Sequence, residues 1–82
     1  MASDNQRAAI CSAVARVLRR ERLKRGLSLA AVAAKAGLSY QMVGFVEKEQ
    51  RNPTLDTLLR ITQALELDLP EVIKKAQKVA SH

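Results

Sequence analysis

Ala33, Gly37, Val43 and Val46 stand at offsets of four, ten and thirteen from the first of them, and this spacing constrains the chain more than any other feature. Two helices that cross steeply after a short turn need a small side chain where they touch, which Ala33 provides. The turn needs a residue at ease with positive φ, which Gly37 provides. Val43 and Val46 share one face of the following segment and can seal it to a core. Ser28 and Ser39, each an N-cap type, precede the two segments. The pattern predicts a helix over Leu29 to Ala36, a turn at Gly37, and a second helix from Ser39 to about Lys48. Together they form a helix–turn–helix unit at about 28–48.

The rest of the chain also reads as helix. No alternating strand pattern of useful length occurs, and turn residues are few. A first helix starts near Ser3, Asp4 or Asn5. It carries Ile10, Val14, Val17 and Leu18 at helical spacing and stops at Gly26 after a basic stretch of Arg22, Lys24 and Arg25. Its opening turns, an extension at about 3–14, are surplus to one small core and suit packing on the last helix or on a second subunit. Thr54 caps a fourth helix with apolar positions Leu55, Leu58, Leu59, Ile61 and Leu65. Asp68 and Glu71 resemble a capping box for a fifth, with Pro70 tolerated in its first turn and Val72, Ile73, Ala76 and Val79 as its stripe. The expectation is an all-α, compact five-helix fold, one domain over 1–82.

A chain of 82 residues supports one small core. Fourteen basic against eight acidic residues leave a formal charge of +6, which favours a polyanionic partner such as nucleic acid. Cys11 is alone, so no internal disulfide forms, and it reads as a small helix residue in a reducing interior. No apolar run approaches membrane-spanning length and no signal-peptide pattern opens the chain, so the expected setting is cytoplasmic, with no membrane partner. His82 is the single histidine, and neither a metal-ligand pair nor a Gly-rich phosphate loop is present. No enzyme activity, metal or cofactor is expected.

The segments GLSLAAVAAKAGLS and VEKEQRNPTLDTLLRITQALEL resemble the phage-repressor-like (Cro/CI, xenobiotic-response-element) helix-turn-helix family, and the likeness runs from about Val17 to Ile73. It implies a lambda-repressor-like DNA-binding domain and a transcriptional regulator, often dimeric; restriction–modification controller proteins and antitoxin subunits share this size and layout. It also implies a salt bridge between Arg22 and Glu47, joining the first helix to the end of the third. Three positions depart from the family's pattern: Glu49 and Glu66 stand where Gly is frequent, and Leu29 where a Gln often helps hold phosphate.

On a helical wheel, residues 40, 41, 44, 45 and 48 share one face of the third helix, while Val43, Val46 and Glu47 point inward with Met42 at the border. Gln41 can bond adenine through its amide, Phe45 can lie against thymine methyls, and Tyr40 can donate its hydroxyl to a base or phosphate. Gly44 lets the backbone approach the groove floor. These four are the expected base readers. The expected phosphate contacts are the backbone N–H groups at Ser28 and Ser39 together with Lys48, Arg51 and Asn52, with Lys35 less central. Arg7, Arg16, Arg19 and Arg20 read as the solvated face of helix one. One reading helix covers only a few base pairs, so a homodimer on double-stranded DNA is expected, with contacts around Val72, Ile73 and Val79 or near Ile10. The alternative is a protein-interaction module, such as an antitoxin-like subunit, using an apolar patch of Tyr40, Met42 and Phe45.

Overall fold

The computed structural model describes residues 3–81, which form five helices and no strand: α1 (Asp4–Lys24), α2 (Leu29–Ala36), α3 (Tyr40–Glu47), α4 (Leu55–Ala64) and α5 (Leu69–Ala80). Each of the first four begins where a hydroxyl side chain accepts an orphan backbone N–H. Ser3, Ser28, Ser39 and Thr54 accept from Gln6, Ala31, Met42 and Thr57 respectively. At Ser3 the Gln6 side chain completes a reciprocal capping box.

The same four helices end alike. Beyond each, a residue turns left-handed and the following N–H reaches back five residues to a carbonyl: Leu27 to Arg22, Leu38 to Ala33, Gln50 to Phe45, and Leu67 to Thr62. Gly26 and Gly37 occupy the left-handed position after α1 and α2, at φ 67° and 68°. After α3 and α4 it is held by Glu49 and Glu66, at φ 61° and 58°. The two glutamates that depart from the family's glycines thus keep the glycine conformation and bear its steric cost.

α1 packs along α5, and α2 packs on both α3 and α4, around a core whose wholly buried members include Leu18, Val32, Val43, Val46, Ile61 and Leu65. Thr62 is also buried, its hydroxyl donating to the carbonyls of Leu58 and Leu59. Ile10 packs against the same core and Val14 is within it, so the opening turns of α1 extend the α1–α5 contact within one subunit.

Several expectations need correction. Asp68 caps α5 in extended conformation but makes no side-chain cap bond, and Pro70 in the first turn has no N–H to offer it. Val72 is buried, so it is not available to a second subunit, and Val79, on the Val72 face, is exposed at the end of that stripe. Leu55 and Leu59, assigned to the apolar stripe of α4, are 65% and 38% exposed. They flank a shallow apolar groove with Leu69, Pro70 and Ile73 of α5. The core needs one face of α4, and the stripe in the sequence is wider than that face.

Candidate nucleic-acid interface

The interface is built on two helices whose relative direction is set by a very short turn. α2 and α3 meet at 114°, within the range of DNA-binding helix–turn–helix pairs. Gly37 makes that angle possible. Its φ is positive, and a Cβ there would lie 3.1 Å from Nη1 of Arg60. That guanidinium is held over the end of α2, donating to the Ala36 carbonyl at 3.3 Å and to Asp56 at 2.8 Å.

A second device fixes α3 to α1. Arg22 donates from Nε to Oε2 of Glu47 at 2.6 Å and from Nη2 to Oε1 at 2.9 Å, a side-on, two-bond pairing. Nη1 donates to the Leu27 carbonyl at 2.8 Å, tying in the loop before α2. The two side chains are only 11% and 7% exposed. The Glu47 hydrogen bonds hold the Arg22 guanidinium above its ordinary pKa, against the lowering effect of burial. The pair leaves no net charge at the root of α3.

With α3 fixed in this way, Val43 and Val46 are buried and Met42 is half-buried against the core. Tyr40 and Gln41 are exposed, Tyr40 by 58%, while Gly44 and Phe45 are partly covered. Phe45 does not pack on the core. The guanidinium of Arg51 lies 5.1 Å above its ring centroid, a cation–π contact that joins the outward face of α3 to the following loop. Met42 is drawn inward and Phe45 is under Arg51, so Tyr40, Met42 and Phe45 do not form one exposed apolar patch.

The residues expected to contact phosphate are all exposed. Lys48, at the C-terminal cap of α3, and Arg51 and Asn52 in the loop are exposed. The hydroxyls of Ser28 and Ser39 accept from their own helices at 3.0 and 3.1 Å. What remains for an anion there is the first backbone N–H groups of α2 and α3. Lys35 is exposed on the last turn of α2, in a separate depression beside Arg60 and Glu66. Arg19 is exposed on the solvated face of α1, as expected. It lines a concavity with Leu29, Gly44 and Lys48.

A family model described as helix-turn-helix matches residues 18–72 of the chain, a span that runs from the core end of α1 into α5 and encloses the whole interface. The chain belongs to the helix-turn-helix family. The solved structure of the wild-type restriction-modification controller protein C.Esp1396I is similar, with a TM-score of 0.79 and 26% identity, covering 89% of this chain and 96% of that one. A point mutant of the same controller protein matches with the same TM-score and coverage at 24% identity. Among proteins of curated function, none matches this chain in sequence. Family and fold together support a DNA-binding transcriptional regulator. In this helix-turn-helix chain the first two-thirds of α1 precede the matched span yet belong to the same continuous helix. No single helix among the described residues is long and apolar enough to cross a membrane.

Proposed function

We propose that the chain acts as one helix–turn–helix unit that binds a palindromic operator as a homodimer, as a repressor or controller of transcription, with α3 in the major groove. The observation that carries the reading is the outward face of α3. Tyr40 and Gln41 project into solvent from its first turn, on a helix whose inner face is locked by Val43, Val46 and the Arg22–Glu47 pair. Gln41 reads adenine, Phe45 meets a thymine methyl, and Tyr40 anchors the helix to backbone or base. Gly44 admits close approach. Lys48, Arg51, Asn52 and the N–H groups beyond Ser28 and Ser39 hold the phosphates.

The dimer reading has its own support. Leu55 and Leu59 of α4 and Leu69, Pro70 and Ile73 of α5 line an apolar groove on the surface, and exposed apolar clusters of this kind favour association. A dimer that reads a palindrome must hold its two α3 helices about 34 Å apart along one face of B-DNA. The regulator resembled in fold is a restriction-modification controller protein, a role that fits a small, basic, dimeric reader. Sedimentation of the chain with Leu55→Glu and Leu59→Glu tests the surface. The parent should run as a dimer and the variant as a 9.0 kDa monomer; a parent that is monomeric with and without DNA refutes the dimer.

A further inference from the structure

We propose that Arg19, on α1 and outside the helix–turn–helix unit, is a DNA-backbone contact that forms one phosphate-binding site with Lys48. The proposal rests on the DNA-binding reading above. The two side chains line one concavity of about 230 Å³ whose other lining residues are Arg22, Leu29, Gly44 and Glu47. That volume is several times a water's ~30 Å³ share of the liquid. Its electrostatics are simple. Glu47 is the only acid in the lining, and both its oxygens are taken by Arg22. What remains is the pair of cations, Arg19 and Lys48, both exposed and neither salt-bridged to an acid among the described residues.

The shape suits a sugar–phosphate unit in particular. Leu29 and the Cα of Gly44 supply apolar lining beside the two cations. Gly44 keeps the site open: a Cβ there would reach 3.9 Å from Cδ1 of Leu29, in ordinary contact, and so would narrow the concavity without disturbing the fold. A deoxyribose can lie on such a surface with its phosphate between guanidinium and ammonium. Arginine provides a fork of donors for phosphate oxygens and lysine a point charge. The site lies beside the outward face of α3, where a backbone strand would run if α3 entered the major groove. Arg19 thereby adds a second cation to the phosphate that Lys48 holds in each half-site.

The test uses the full chain and a duplex selected from a random pool. Binding is measured by fluorescence anisotropy across a range of salt for the parent, Arg19→Ala, Arg19→Lys, and Lys75→Ala, which removes the same charge from exposed α5. Arg19→Ala should weaken every duplex roughly tenfold or more at low salt, without changing base preference. It should also reduce the magnitude of the salt slope by ~0.9 per protomer. Arg19→Lys should restore most of the slope. A methylphosphonate at a single position in each half-site should weaken the parent, and should weaken Arg19→Ala by less, because there only Lys48 still holds that phosphate. Unchanged thermal melting establishes that the fold is intact. If Arg19→Ala matches Lys75→Ala in affinity and slope while the parent still binds its duplex, this inference fails alone. If the parent binds no duplex in a salt-dependent way, the DNA-reading function fails and the Arg19 contact with it.

Discussion

Removing the Glu47 carboxylate should come close to unfolding the protein. In Glu47→Ala the Arg22 guanidinium stays in a site where its side chain is 11% exposed, and its only remaining acceptor is the Leu27 carbonyl. Two of its three hydrogen bonds vanish, and an unpaired buried charge typically costs ~3–5 kcal/mol. A domain of this length has roughly 4–12 kcal/mol of stability in all. The substitution therefore consumes a large part of the total. Urea titration followed by circular dichroism should show the midpoint falling by roughly 2–5 M with little change in slope, given a slope near ~1–1.5 kcal/mol/M for a small protein. Arg22→Met combined with Glu47→Leu removes both charges and should recover most of the loss, because the water-stripped charge is then gone. The effect should not vary with pH in the neutral range. A raised folded pKa for Arg22 gives stability that is full below the unfolded value and lost only as pH rises through the folded one, in strong alkali. A Glu47→Ala protein that melts within about 1 kcal/mol of the parent would refute the reasoning, since solvated partners lose little.

Other expected outcomes test separate parts of the structure. Glu49→Gly and Glu66→Gly each relieve a left-handed non-glycine residue, worth ~1–2 kcal/mol, against ~0.4–1 kcal/mol from a freer unfolded chain. Each should raise the stability measured by urea titration by a net amount of up to about 1.6 kcal/mol, and lower midpoints would show that the glutamates make compensating interactions. Gly37→Ala meets both a positive φ and the Arg60 guanidinium, and thermal melting should show a loss of ~1–2 kcal/mol. Gly44→Ala should stabilise α3 by up to ~1 kcal/mol yet weaken binding to DNA, separating its cost to the helix from its use at the interface. Arg51→Ala should weaken all duplexes alike and reduce the magnitude of the salt slope by about one for each phosphate it no longer neutralises. A change in base preference instead would point to its cation–π pairing with Phe45 as a determinant of specificity.

Much of this was legible in the residues because local chemistry decided it. Ser28, Ser39 and Thr54 cap helices wherever they stand before an apolar stripe, and Gly26 and Gly37 mark left-handed turns by lacking a Cβ. The inward set on α3, Val43, Val46 and Glu47, followed from helical periodicity, and the Arg22–Glu47 pair from resemblance to a family. What failed to show was decided by neighbours distant in sequence. Leu55 and Leu59 look like core on a wheel, but the core had room for only one face of α4. Val72 looks like a dimer contact, but α1 covers its face. Asp68 and Glu71 match a capping box by type, yet the side-chain cap bond does not form. The cover of Arg51 over Phe45 and the placing of Arg19 beside Lys48 depend on how a loop and two helices meet, which no local pattern encodes.

The central claim, that α3 reads duplex DNA through Gln41 and Phe45, is tested most directly by selecting bound sequences from a random duplex pool with the parent, Gln41→Ala and Phe45→Ala. The parent should yield a palindrome with half-sites about 34 Å apart centre to centre. Gln41→Ala should relax preference at one adenine per half-site at a cost of ~1–3 kcal/mol. Phe45→Ala should lose the discrimination of thymine from uracil, which differ there by one methyl group. If both variants select the parent's sequence with unchanged preference and affinity, α3 is not the reader.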